Sequence, residues 1–376
     1  MKISIETPAK LSVIVPCYDE EDTLSLCVDR VLEIVDDFLS IEIIIVDDAS
    51  RDNSLTIAND LEKRHKQIVV LKHDTNKGKG AALRTGFQKA TGDFVAVQDA
   101  DLEYNPMELK KLLIPLRSNQ ADVVIGSRFL SSGAHRVLYF WHSIGNRFLT
   151  LLSNMFTDLN LTDMESCYKV FRRDIIQKVD LRENRFGFEP EIIAKVSQMR
   201  VRIFEIGISY SGRTYEEGKK IGVKDGIRAL YCILKYNAHK APLPMQFLIY
   251  LFIGSVAALF NLFLFLAILN AGVPTSISAP VAFASAAIVN YLLCVLILFK
   301  HQARWKAPFE WLAYTVVVCC VAYVDLVVTE FLLNGGLSPT TSKLTATGMA
   351  LILNFLGRRF LVFPEKPSGP WIRQGQ

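Results

Sequence analysis

The chain has 376 residues, 51% of them hydrophobic, and a formal net charge of +4 from 42 basic and 38 acidic side chains. That length admits more than one domain, and so balanced a charge gives no ground for a nucleic-acid partner. Seven cysteines with no C-x-x-C spacing suggest neither a zinc site nor a disulfide framework, and "MKISIETPAK" has no apolar signal core, so a reducing cytosolic setting is expected.

Residues 1–240 read as strand, then helix, repeated. "LSVIVP" (11–16), "IEIIIVD" (41–47), "QIVVLK" (67–72), "DFVAVQ" (93–98) and "ADVVIG" (121–126) are the predicted strands. Helices are expected over "EDTLSLCVDRVLEIV", near 53–65 and from Gly80 to Ala90. This alternation predicts an α/β domain with a mostly parallel sheet, whose ligands bind beyond the carboxyl ends of the strands.

Chemistry-bearing residues gather at those ends: Pro16, Tyr18 and Glu20; Asp47, Asp48 and Ser50; "NKGKG" (76–80); Asp99, Asp101 and Glu103; Ser127 and Arg128. One "DD" pair alone would be an ordinary helix cap; five clusters on one edge make a site. In an extended segment alternate residues point the same way, so Asp99, Asp101 and Glu103 are expected to aim at one point. Like charges so held call for a cation, and hard oxygen donors suit Mg²⁺ or Mn²⁺ bridging to a nucleotide diphosphate. Lys77 and Lys79 stand where a helix begins and oppose its dipole; a nearby anion would relieve that, or the segment is a plain turn capped by Asn76. It is not a P-loop.

Two stretches, "NRFLTLLSNMF" (146–156) and "VKDGIRALYCILKY" (223–236), space their apolar residues as helices lying on a membrane surface or packing on the core would. Arg213, Lys219, Lys220, Lys224, Arg228, Lys235 and Lys240 crowd the second, a pattern that suits anionic lipid heads. Glu189 in "GFEPE" either lines the acceptor side or caps a helix.

Beyond residue 246 the composition turns apolar. Four stretches, 246–269, 277–299, 309–334 and 341–363, have the roughly 20 residues a membrane span needs. Lys300, His301, Arg304 and Lys306 fill the middle break, and Arg358, Arg359, Lys366 and Arg373 lie at or after the last span, which predicts cytoplasmic termini. "VNYLLCVLILF" (289–299) resembles "LNFLGRRFLVF" (353–363), with Asn290 and Asn354 in matching places, so an internal repeat is expected. Asp325 inside the third span faces a pathway or a neighbouring helix.

Over residues 10–240 the pieces "VIVPCYDEEDTL", "IIIVDDASRDNS", "NKGKGAALRTGF", "QDADLE", "IGSRF", "DMESCYKVFRRD" and "ENRFGFEPEI" resemble glycosyltransferase family 2. The likeness is to its polyprenyl-phosphate glycosyltransferases, of the dolichyl-phosphate mannose or glucose synthase type. Residues 246–363 resemble the GtrA-like four-helix membrane module. The resemblance implies a GT-A domain over 1–222, an interfacial helix and linker over 223–243, an all-α four-helix transmembrane domain over 244–364 and a cytoplasmic tail over 365–376.

Pro16, Tyr18, Glu20, Asp47 or Asp48, and Lys79 would then hold the nucleotide. Asp99 and Asp101 match the family's D-x-D motif, with Glu103 where relatives carry Gln, and would hold Mg²⁺ or Mn²⁺. Arg128, Arg213, Lys219 and Lys220 would dock the acceptor phosphate, with Asp99, Asp101, Arg128 and Arg213 at the catalytic centre. The implied reaction is inverting transfer of a hexose from a nucleotide sugar, a UDP-sugar ahead of GDP-mannose, to polyprenyl phosphate at the inner membrane. Processive synthases carry Q-x-x-R-W; "QARW" (302–305) is one residue short, which speaks against polymerisation. A non-lipid acceptor, or a translocator without enzymatic activity, is the alternative.

Overall fold

Nine residues, Ala9–Cys17, with the β-branched run Val13–Val15 at their centre, form β1, and they set the frame of the first half. Beside β1 lies β2 (Leu39–Asp47), paired in parallel with Val13 opposite Ile43. β3 (Ile68–Lys72) extends that side, and β4 (Phe94–Val97) lies on the other. Three more strands complete the sheet: β5 (Val123–Ser127), β6 (Lys169–Arg172) and β7 (Ile203–Gly207). The order is β3-β2-β1-β4-β6-β5-β7, parallel except for β6, which runs against both its neighbours. Leu11, Val13 and Val15 of β1 and Ile43 and Ile45 of β2 are fully buried, as strands covered on both faces must be.

This computed structural model describes residues 7–130, 136, 137, 139–212, 222–299 and 307–362. Helices cover the sheet: α1 (Leu24–Leu32), α2 (Ser54–Arg64), α3 (Lys79–Lys89), α4 (Leu109–Arg117), α5 (Phe140–Thr157), the single turn α6 (Arg173–Ile176) and α7 (Phe188–Gln198). α3 lies against β1 through Gly86, where a Cβ would run into the Ile14 side chain. α8 (Val223–Asn237) closes this unit, and a second compact unit begins at Ala238. The segment expected as one linker over 223–243 is thus divided, its helix belonging to the first unit.

The second unit is two helical hairpins. α9 (Leu243–Asn270) turns into α10 (Thr275–Leu293), which continues as a π-helical stretch, Cys294–Phe299. α11 (Ala307–Asn334) turns into α12 (Pro339–Gly357), again followed by a π-helical stretch, Arg358–Val362. Each helix of the first hairpin begins and ends 64 residues before its counterpart, the separation of Cys294 and Arg358. The turns match too: Gly272 and Gly336 hold φ of 86° and 87°, a left-handed conformation that favours glycine. Ser278 and Ser342, Ala282 and Ala346, and Leu298 and Val362 are buried pairs in the same register. The repeat seen in eleven residues of sequence therefore runs through both hairpins without insertion or deletion. α9 and the Leu312–Asn334 part of α11 are long and apolar enough to cross a membrane; α10 and α12 are shorter.

Replacing Gly86 by valine is expected to cost about 1–3 kcal/mol through overpacking against β1. The unfolding midpoint should fall, whereas Gly145→Ala, where a Cβ meets nothing within 4 Å, should leave it in place.

Candidate active site

Parallel strands deliver their following loops to one edge, and β6, running the other way, brings in the segment that precedes it. So 163–168 join the loops after β1, β2, β4, β5 and β7. The edge loops are tightly wound: Asp19, Ala49 and Leu102 have φ of 52°, 61° and 62°, rare for residues with a Cβ. The Asp19 carboxylate accepts from Arg51 N at 2.7 Å, and Glu20 N donates to Ser54 Oγ at 2.9 Å, locking the first two loops together. Glu20 also accepts from Thr23 Oγ1 at 3.0 Å, at the start of α1.

The adjacent Asp47 and Asp48 are both buried but do different work. Asp48 accepts from Lys77 N at 2.9 Å, Gly78 N at 2.6 Å and meets His73 Nδ1 at 2.6 Å, so it shapes the "NKGKG" turn. Asp47 accepts from Ser50 N at 3.3 Å through Oδ2, while its buried Oδ1 has no partner. A buried acceptor without a donor is costly unless a ligand supplies one. Of the two, only Asp47 keeps a carboxylate oxygen without a hydrogen bond.

In "NKGKG", Gly78, at φ 97°, and Gly80 make room for the backbone of Glu183 and Asn184, and Ala81 N donates to Asn184 O at 3.1 Å. Lys79 leaves this turn and places Nζ 2.9 Å from Asp99 Oδ1 and 3.4 Å from Glu189 Oε1. Burial alone would lower the Lys79 ammonium; the charges of Asp99 and, further down, Glu189 hold it well above its ordinary value. Glu189 does not cap α7, whose N-cap is Gly187, and its other oxygen, Oε2, is buried without a hydrogen-bond partner. Burial, then the charge of Glu189, pushes the nearby Glu165 carboxyl up.

The three carboxylates of "DADLE" do not form a trio. β4 ends at Val97, and the left-handed Leu102 breaks the alternation that would have aligned them. Glu103 turns to the Tyr210 hydroxyl, which donates at 2.8 Å, and Asp101 accepts from Glu103 N at 3.2 Å. Among the described residues no three acidic, histidine or cysteine side chains form a ready metal cage. The half-buried Asp99 and Asp101 still fit a divalent ion. Mg²⁺ is commonly held by one or two carboxylates, its other ligands being water and substrate phosphate.

Arg128 was expected to dock a phosphate. Its Nε and Nη2 instead form a fork on the buried Asp163, at 2.7 and 2.8 Å, and its backbone N donates to the same group at 3.0 Å. A carboxylate with no exposure requires such a cation, and the guanidinium also lies 5.1 Å from the Tyr210 ring centre. Tyr210 and the stacked pair Tyr104 and Tyr168 wall this side. Arg213, Lys219 and Lys220 lie outside the described residues.

α5 buries Thr150, Ser153, Phe156 and Thr157, yet leaves large apolar side chains outside: Trp141, Phe148 and Leu151 are 79%, 55% and 59% exposed. On α8, Ile227 and Tyr231 are exposed too, while Arg228, Lys235 and Tyr236 all bind the Glu183 carboxylate.

Residues 12–180 match glycosyl transferase family 2, and residues 249–363 match the GtrA/DPMS transmembrane domain. A dolichol-phosphate mannosyltransferase of Pyrococcus furiosus is 26% identical over 94% of this chain and 97% of its own length. An undecaprenyl-phosphate mannosyltransferase of Micrococcus luteus is 28% identical over 57% of this chain and 88% of its own. Among solved structures, glucosyl-3-phosphoglycerate synthase of Mycobacterium tuberculosis, crystallised with Mn²⁺ and uridine diphosphate, superposes with a TM-score of 0.49 at 17% identity, over 62% of this chain and 82% of that one.

Two outcomes follow from the ion pairs. Asp163→Ala leaves Arg128 buried and unpaired and is expected to cost about 3–5 kcal/mol in a denaturant titration. Burial alone would raise Glu183, but hydrogen bonds from Tyr236, Arg228 and Lys235 hold it at about 2, against an ordinary 4.5. Because the folded value is the lower, this stabilisation is complete above pH 4.5 and drains as the pH falls towards 2. Hydrogen exchange over α8 should rise across that window, and Glu183→Gln should show the raised exchange already at pH 7.

Proposed function

We propose that this chain, a glycosyltransferase joining a family 2 domain to a GtrA/DPMS transmembrane domain, transfers a hexose from a nucleotide sugar to a polyprenyl phosphate, inverting the anomeric carbon. One observation carries the lipid acceptor: α5 leaves Trp141, Phe148 and Leu151 exposed on the side away from its buried residues Thr150, Ser153, Phe156 and Thr157. A helix of that kind in a nucleotide-sugar domain is built to rest in a bilayer surface, where a polyprenyl phosphate is held by its tail. The names of the relatives weigh the same way, and they weigh towards mannose, which brings GDP-mannose level with the UDP-sugar that the sequence favours.

An oxygen of the acceptor phosphate attacks the anomeric carbon, a new C–O bond forms, and the bond to the nucleotide diphosphate breaks, its electron pair leaving with the diphosphate. No strong base is required, because a phosphate monoester has its second pKa near about 6 and is largely ionised in the cytosol. Asp47 Oδ1 receives a donor from the nucleoside. Lys79 fixes the Asp99 carboxylate and keeps a positive charge beside the leaving group. Asp99 and Asp101 would hold Mg²⁺ or Mn²⁺, and the ion would supply positive charge to offset that developing on the diphosphate. Arg128 positions the Asp163 segment rather than meeting substrate, and the acceptor phosphate falls to Arg213, Lys219 and Lys220.

The protein is a membrane protein. Its charge distribution supports four spans, with both termini and the loop over 300–306 cytoplasmic, on the side where nucleotide sugars are made.

Membranes carrying the chain, given labelled GDP-mannose, UDP-glucose or UDP-N-acetylglucosamine with Mg²⁺ or Mn²⁺ and polyprenyl phosphate, should move label from one donor into the organic phase. Label only in water-soluble product overturns the lipid acceptor. Asp101→Ala should lower the rate at least about 100-fold, the scale of one lost electrostatic stabiliser. Asp47→Ala should act mainly on the donor KM, the signature of lost uniform binding.

A further inference from the structure

Arg358 is 5% exposed, at the end of α12, and its partners among the described residues are all neutral. Nη1 donates to Asn290 Oδ1 at 2.6 Å, Nε to Asn354 Oδ1 at 3.1 Å and Nη2 to the Tyr314 hydroxyl at 3.0 Å. The guanidinium carbon lies 4.6 Å from the Tyr314 ring centre and 5.5 Å from that of Tyr250. Among the described residues no carboxylate pairs with it. A cation buried in apolar helices with neutral partners alone keeps most of its desolvation cost, and such residues mark binding sites.

The duplication sharpens the point. Tyr250 and Tyr314 are matching positions in the two hairpins, and so are Asn290 and Asn354. The mate of Arg358 is Cys294, whose Sγ lies 3.8 Å from its Nη1. Equivalent positions that touch must lie near the axis relating the hairpins. Around that axis the repeat is kept pairwise, except that one half has gained a cation. A mere tie between hairpins would be served by the paired asparagines and tyrosines. Arg359, 1% exposed, replaces Val295 of the first half in the same way.

Depth argues for the kind of anion. The nineteen residues of α12 span about 28 Å, close to the hydrocarbon thickness of a bilayer, so a helix starting at one surface delivers Arg358 to headgroup depth at the other. The π-helical stretch that starts at Arg358 is a form often found at functional positions. A guanidinium is matched to phosphate oxygens in shape and charge.

We propose that Arg358, on the axis of the duplicated hairpins, binds the phosphate monoester of a prenyl lipid within the membrane unit, apart from the Asp99 centre. The proposal rests on the lipid-acceptor reading above. The site holds the lipid by its phosphate at the bilayer surface, before or after sugar transfer.

The test uses the full chain in nanodiscs and a diazirine-bearing farnesyl phosphate, with labelled peptides located by mass spectrometry. Label is expected in 290–298 and 355–362 and should fall at least tenfold in Arg358→Gln. Unlabelled farnesyl phosphate should compete and farnesol should not. Equal competition by inorganic phosphate keeps the phosphate site and makes a free anion its occupant. Equal labelling of those peptides in wild type and Arg358→Gln overturns the proposal. In the wild type alone, competition by farnesol as strong as by farnesyl phosphate overturns it too, so a variant that fails to insert does not shelter it. Sugar transfer in the same preparations keeps the two readings apart: transfer without label at these peptides sinks the site and spares the function, and label without transfer does the reverse.

Discussion

The first unit is organised by the need to keep acidic groups together at one sheet edge. Lys79 answers it by standing between Asp99 and Glu189, and Arg128 answers it again at Asp163. Each cation is sent from a different strand-end loop, so the pairs fix the loops as firmly as they offset charge. The close seat of the Gly78–Gly80 turn on Glu183 and Asn184 makes the first pair possible, because Lys79 leaves from within that turn.

The five strands that periodicity marked are present within two or three residues, because buried parallel strands announce themselves as β-branched runs. β6 and β7 escaped notice. β6 has four residues and includes Lys169, which reads as a surface residue yet is buried, its ammonium bonded to the Met164 and Ser166 carbonyls. Without β6 there was no reason to bring 163–168 to the site, and so Asp163 and Glu165 were missed, although "DMESCYKVFRRD" stood out as a motif. The alignment expected of Asp99, Asp101 and Glu103 failed for a local reason: it assumed an extended chain, and one left-handed residue, Leu102, ended the alternation. The choice between Asp47 and Asp48 could not be made from sequence, since it depends on which carboxylate the 77–78 backbone reaches.

In the second unit the sequence said more than its eleven-residue likeness suggested. Helix lengths, turn glycines and buried positions recur at one fixed separation, so the architecture of one hairpin predicts the other. Departures from the repeat are then informative in a way that single residues are not. The arginine opposite Cys294 is such a departure, and it lies where the halves come closest.

The exposed apolar side of α5 has a practical consequence. A gene trimmed after Asn237 would still encode a tryptophan-and-phenylalanine ridge with nowhere dry to sit, because the other side of the helix is already packed inward through Phe156. Removing the spans would therefore trade an integral protein for one that clings to vesicles or clumps, and surfactant would remain part of any purification.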